Sequence, residues 1–92
     1  MQWKEIRQAY PDQWLIIEAI QAHTEGEQRR LDQIAVLGRC PDAKSVMSIY
    51  KTWRRQLPNR ELYFVHTGRE TLDIRDRRAA TLTRWRGYVH TN

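Results

Sequence analysis

The chain has 92 residues, 40% hydrophobic and 29% charged, with one cysteine and a net charge of +5. These values fit one globular domain and exclude a disordered chain, an internal disulfide and a membrane span, which needs about 20 apolar residues. The first residues carry charges where a secretory signal would be apolar, so we expect a soluble, cytoplasmic protein.

Apolar spacing at the start of the chain predicts a short helix over residues 2–9. Three residues share one face of that helix: Trp3, Ile6 and Tyr10. Pro11 ends it, and residues 14–24 then read as a strand that is apolar on both faces at its beginning.

A hairpin follows, with Gly26 in the turn and a return strand over residues 29–40. A connection of two or four residues pairs Ile17 with Val36 and Ala19 with Ile34, which gives one coherent apolar face. The opposite face is mixed, and in this register it carries Ile16, Glu18, Ile20, Leu31 and Leu37.

Asp42 is the predicted N-cap of a second helix that ends at Leu57-Pro58. Its apolar residues recur at steps of three and four, which is typical of an amphipathic helix packed on a core: Ala43, Val46, Ile49, Tyr50, Trp53 and Leu57. Residues 60–67 alternate as a third strand, and Gly68 ends it.

The element order α-β-β-α-β predicts a small α+β domain over residues 1–76 with a mostly antiparallel sheet. Because the second helix returns the chain, strands two and three should run parallel. We favour strand order 2-1-3 over 1-2-3, with both helices on one face. Residues 77–92 form a basic C-terminal extension, docked or partly flexible, whose structure the pattern leaves open.

The three histidines, His23, His66 and His90, do not predict a metal site or a catalytic pair. The predicted topology places His23 and His66 at opposite ends of the sheet, about 30 Å apart. Cys40 and His66 fall at the same end, but no third group that would orient them is evident. We predict no catalytic residues, no metal and no cofactor.

The stretch from His66 to Glu70 is the most site-like, since a backbone break follows a buried strand. Arg69 suits a carboxylate or phosphate ligand; the alternative is a plain turn with an ion pair to Glu70 or Asp73. The residues predicted to contact a ligand or partner are His66, Thr67, Arg69, Glu70, Glu18 and His23.

Basic residues on the second helix and in the extension, with a tryptophan among them, indicate nucleic acid as an alternative partner. The residues concerned are Lys51, Arg54, Arg55, Arg78, Arg84, Trp85 and Arg86. The competing interpretation is a solvated surface with Trp85 in the core.

Two stretches, YPDQWLIIEAIQAH and NRELYFVHTGRETLDI, resemble a small family of bacterial proteins known as uncharacterised. The resemblance covers roughly residues 1–76 and implies no activity. It is carried by Trp3, Pro11, Trp14, Glu18, Ala19, His23, Arg60, His66, Thr67, Arg69 and Glu70.

The sequence favours a non-catalytic binding or accessory module that acts through a protein partner or a homodimer. The main reason is the mixed sheet face around Glu18, which would be an exposed apolar patch unless a partner or the extension covered it. Nucleic-acid binding is the alternative, and a small enzyme or ligand site near Cys40, His66 and Arg69 is the weakest candidate.

Overall fold

A computed structural model describes residues 1–74 as two helices and a three-stranded antiparallel sheet with strand order β2-β1-β3. The elements are α1 (Trp3–Ala9), β1 (Trp14–Glu25), β2 (Gln28–Cys40), α2 (Ala43–Gln56) and β3 (Leu62–His66). Both β2 and β3 run antiparallel to β1, so they run parallel to each other. The predicted α+β class, strand order and strand directions are confirmed. The predicted extension, residues 77–92, lies outside the described residues.

A two-residue turn, Gly26 and Glu27, connects β1 to β2. Gly26 has a φ of 61°, a left-handed conformation that costs glycine little because it has no Cβ atom. The even-numbered connection gives the predicted register. The pairs are Ile17 with Val36 and Ala19 with Ile34.

The hairpin register shifts on both sides of Gln21, where each strand carries one residue without a partner across the ladder. These residues are Ile20 in β1 and Asp32 in β2. An extra residue changes the face on which the following side chains lie. Leu31 consequently packs against the buried cluster that contains Ile17, and its predicted place on the mixed face is wrong.

One face of the sheet packs against α1 and against the segment that follows β3. Ile6 of α1, Ile17 of β1, Val65 of β3 and Ile74 belong to the same buried cluster. Residues 67–74 therefore cross this face on their way from the end of β3.

The opposite face packs against α2, whose Val46 is buried with Ile16 and Cys40. The prediction that both helices cover one face is therefore wrong. The physical reason is that β1 begins apolar on both faces, and each apolar face needs its own cover. The mixed face predicted around Ile16 is thus covered by α2 where Ile16 lies in the sheet.

A cap fixes the start of α2, and a glycine allows its close approach to the sheet. Asp42 accepts a hydrogen bond from the Ser45 N–H at 2.9 Å, which confirms the predicted N-cap. A Cβ atom at Gly38 would lie 3.2 Å from Nε1 of Trp53, so the missing side chain makes room for the indole.

The hairpin extends beyond the third strand, because β3 pairs with residues 14–18 of β1. We call residues 20–33 the distal ribbon. Its outer edge is held where the Arg29 N–H donates to the Ile74 carbonyl at 2.8 Å. Ile20 is 53% exposed on this ribbon. Neither helix within residues 1–74 is long and apolar enough to cross a membrane.

Candidate functional site

The loop predicted to bind a ligand, residues 66–70, is hydrogen-bonded to the N-terminal part of the chain. Thr67 is 2% exposed, and its hydroxyl accepts a hydrogen bond from the Gln13 N–H at 2.9 Å. Its carbonyl accepts a second bond, also 2.9 Å, from Nε of Arg7. The loop therefore attaches α1 and the beginning of β1 to the end of β3.

His66 is held in place by three neighbours. Its Nδ1 atom accepts a hydrogen bond from the Gly68 N–H at 2.9 Å, and its ring meets Trp14 edge-on with centroids 5.1 Å apart. Its Nε2 atom lies 3.6 Å from Oδ1 of the exposed Asp12. Because Nδ1 acts as an acceptor, the ring proton of neutral His66 is assigned to Nε2.

Arg69 uses its main chain to hold the same loop. Its N–H donates to the His66 carbonyl at 3.2 Å, and its carbonyl accepts the indole N–H of Trp3, also at 3.2 Å. Glu70 is exposed. An ion pair between Arg69 and Glu70 or Asp73, and a ligand bound by Arg69, both stay predictions.

Cys40 and His66 lie at the same end of the sheet, as predicted, but on strands that are not neighbours. Trp14 of β1 pairs with Cys40 on one side and with His66 on the other. Neighbouring strands are about 4.8 Å apart, so the two backbones lie about 10 Å apart with Trp14 between them. Burial, and secondarily the Asp42 carboxylate, raises the pKa of the Cys40 thiol. Cys40 and His66 therefore do not form a nucleophile–base pair.

His23 lies near the hairpin turn, where it pairs with Arg30, while His66 pairs with Trp14 at the other end of β1. The predicted separation of the two imidazoles is confirmed. His23 contacts carboxylates through both ring nitrogens: Nδ1 lies 2.7 Å from Asp32, and Nε2 lies 2.9 Å from Glu25.

Glu18 is 5% exposed and forms an ion pair with Nε of Arg60, whose side chain is half exposed. The prediction of a functional Glu18 required an open sheet face. Burial and pairing with Arg60 instead make this carboxylate part of the connection between β1 and the chain entering β3. A carboxylate buried in this way needs such a partner.

The basic residues predicted to bind nucleic acid are only partly described. Lys51 and Arg55 are exposed on α2, while Arg54 is half-buried and donates from Nη1 to the Arg60 carbonyl at 2.9 Å. The remaining four lie outside residues 1–74: Arg78, Arg84, Trp85 and Arg86.

Two residues of the exposed side of α2 were not predicted as site residues, Lys44 and Met47. Both are exposed and lie on the same side as Lys51. The helical spacing that placed Val46 and Trp53 in the core could have identified them, because it places the intervening residues outward.

Comparison of the chain with protein-family models, curated proteins and solved structures gives no match. Within residues 1–74, no group of three or more His, Cys, Asp or Glu side chains is arranged to hold a metal ion.

Proposed function

We propose that this protein is a non-catalytic binding module that docks a partner protein on one face of α2. We define the α2 outer face by four exposed residues: Lys44, Met47, Lys51 and Arg55. With 3.6 residues per turn, the three cations point away from the buried Val46 and extend over about 16 Å of helix axis. The observation that carries the proposal is this cationic face surrounding an exposed methionine.

The cations of the α2 outer face have no acidic partners in the described part of the chain. The ion pairs described for residues 1–74 involve none of Lys44, Lys51 and Arg55. The helix itself contains no Asp or Glu. Within residues 1–74, no acidic side chain therefore competes with an external acidic group for these charges.

Lys44 is difficult to explain by the stability of the helix. It lies in the first turn of α2, where the helix dipole favours acidic side chains and disfavours cations by about 0.3–1 kcal/mol. Arg54 and Arg55, by contrast, lie in the last turn, where cations stabilise the helix. A contact with a partner gives Lys44 a role that the isolated helix does not.

Met47 favours a protein as the partner. It is 47% exposed, and its flexible thioether side chain adapts to irregular apolar surfaces. Methionine is enriched at protein interfaces, where an apolar centre is surrounded by polar residues. Met47 with Lys44 and Lys51 beside it fits a partner that presents an apolar contact bordered by Asp or Glu.

The charge of this face also bears on self-association. Two copies that met through their α2 outer faces would bring like charges together, which is unfavourable. The proposed partner is therefore a different, acidic protein. The expected homodimer stays a prediction for other surfaces of the domain.

Nucleic acid is the second candidate, because the same cations could contact phosphates. The described part of the interface offers no ring for base stacking, since Tyr50 and Trp53 of α2 pack against the core. Tyr50 meets Phe64 edge-on with ring centroids 5.3 Å apart. This candidate therefore depends on the phosphate contacts of α2 and on residues of the extension.

The test is photo-cross-linking from position 47 in the cells in which the protein naturally occurs. A photoreactive amino acid replaces Met47, and a control carries it at the exposed Gln8 of α1. The double variant Lys44→Glu/Lys51→Glu should reduce cross-linking to the partner about tenfold or more. The control Lys4→Glu/Arg39→Glu, which makes the same charge change at exposed sites outside α2, should retain it.

The products distinguish the two candidates. A defined protein product at position 47 that depends on Lys44 and Lys51 supports the proposal. A nucleic-acid product would favour the second candidate, provided that the protein also binds a labelled oligonucleotide of about 20 nucleotides with an affinity that falls steeply with salt. No product from position 47, or equal products from Gln8, would exclude the α2 outer face as the docking surface.

A further inference from the structure

A second cluster of charged side chains lies on the distal ribbon, around His23. Nδ1 of His23 lies 2.7 Å from Oδ2 of Asp32, and Nε2 lies 2.9 Å from Oε2 of Glu25. Arg30 joins the cluster through Glu25, with Nε 3.4 Å from Oε1. Each of these four side chains is exposed, so the cluster is in contact with solvent protons.

The protonation state of His23 follows from these two contacts. A neutral imidazole carries one N–H, whereas an ionised carboxylate can only accept a hydrogen bond. If His23 were neutral, one ring nitrogen would face a carboxylate oxygen with no proton between them. Both short contacts are satisfied together when His23 is the imidazolium.

The cluster also connects the two strands of the ribbon where their ladder is irregular. His23 and Glu25 lie two residues apart on β1, so both point to the same side of the strand. Asp32 is the unpaired residue of β2 beside the register shift at Gln21. The imidazolium therefore supplies a side-chain link at a place where regular backbone pairing is interrupted.

We propose that His23 is a pH-dependent clamp on the distal ribbon: its imidazolium links Asp32 of β2 to Glu25 of β1, and its deprotonation releases that link. The charged groups that contact it within residues 1–74 are Asp32 from β2 and Glu25 from β1, with Arg30 of β2 acting through Glu25. Release loosens the hairpin tip, while the sheet at Trp14 and His66 is unaffected.

The direction of the pH dependence follows from the two partners. Hydrogen bonds to Asp32 and then Glu25 raise the pKa of His23 above its ordinary value near 6.5, so its contribution is complete below that value and is lost as the pH rises through the folded pKa. The hydrogen bond to His23 lowers the pKa of Glu25, so that contribution is complete above about 4.5 and is lost on acidification. The clamp is therefore strongest between about pH 4.5 and 6.5.

The experiment is an NMR titration of the full chain between pH 5 and 9, with hydrogen exchange of residues 22–31 measured in parallel. At pH 5.5, both ring nitrogens of His23 should carry protons. The His23 midpoint should lie above 6.5, and Asp32→Asn and Glu25→Gln should each lower it. Exchange within the ribbon, corrected for its intrinsic pH dependence, should accelerate as the pH passes the midpoint.

Asp12→Asn is the matched control, because it makes the same change beside the other described histidine, His66. It should leave the His23 midpoint and ribbon exchange unchanged. A His23 ring with one proton at pH 5.5, or an unchanged midpoint in Asp32→Asn, would overturn the assignment of the imidazolium. If the His23 midpoint is raised but hydrogen exchange in the ribbon does not change as the pH passes it, the clamp is overturned.

Discussion

Arg29 donates two hydrogen bonds to the carboxylate of Glu61, from Nε and from Nη2, each 2.9 Å long. The pair connects β2 to the residue before β3, so it reaches across β1. Thr24 of β1 accepts a further bond from Arg29 at 3.0 Å, and the Tyr63 hydroxyl donates to Glu61. The hydrogen bonds to Glu61 are the main reason that the pKa of Arg29 is raised. The Arg29 guanidinium thus links β2, β1 and the residue that precedes β3.

Replacing Glu61 by Gln should lower the free energy of unfolding by about 2 kcal/mol. The side chains of Arg29 and Glu61 are only 22% and 14% exposed, so the change leaves a largely shielded guanidinium without its counter-charge. Urea unfolding followed by circular dichroism measures the effect. The exposed Glu70→Gln should change stability by less than about 0.5 kcal/mol, and equal losses in both variants would contradict the role of the pair.

Two isoleucines on β1 should differ sharply when each is changed to alanine. Ile17 is fully buried in the same cluster as Ile6 of α1, whereas Ile20 is 53% exposed on the distal ribbon. Ile17→Ala should cost about 2–5 kcal/mol through lost burial and the cavity that remains. Ile20→Ala should cost less than about 0.5 kcal/mol. Thermal or urea unfolding of the two variants compares them directly; a large loss for Ile20→Ala would show that the ribbon is covered.

Cys40 should react slowly with an alkylating reagent in the folded protein. Burial, and secondarily the charge of Asp42, raises the pKa of its thiol, so the reactive thiolate forms at a higher pH than for an ordinary cysteine. We expect alkylation at least about tenfold slower than in urea, with a pH profile displaced upward. Asp42→Asn keeps a good N-cap while removing the charge, and should move that profile slightly downward. Rapid alkylation of the native thiol would contradict this account.

Local patterns were sufficient to predict much of the fold. The parity of the turn at Gly26 fixed the pairing of Ile17 with Val36, and the return helix fixed the direction of β3. The position of Leu31 was missed, because nothing in the residue types around Gln21 indicates that each strand gains an extra residue there. The placement of α1 and α2 was missed although β1 is apolar on both faces, a pattern that favours a cover on each side.

The candidate site was less accessible to prediction, since its contacts join distant parts of the chain. The bond from Arg7 to Thr67 joins residues 60 positions apart, and no spacing rule predicts it. The His23 cluster was easier to predict from the sequence, because residues 23 and 25 share a side of one strand and residue 32 lies across the turn. Its double hydrogen bond depends on side-chain placement that the pattern does not specify.

The main chain at Met1 and Ile74 covers part of the outer edge of β2 with hydrogen bonds. Met1 exchanges hydrogen bonds with both backbone groups of Ile34, at 2.8 and 3.0 Å, and the Ile74 carbonyl occupies the amide of Arg29. An open strand edge is a template on which foreign strands add and fibrils grow. A strand from another molecule would have to displace these bonds before it could extend the sheet beside β2.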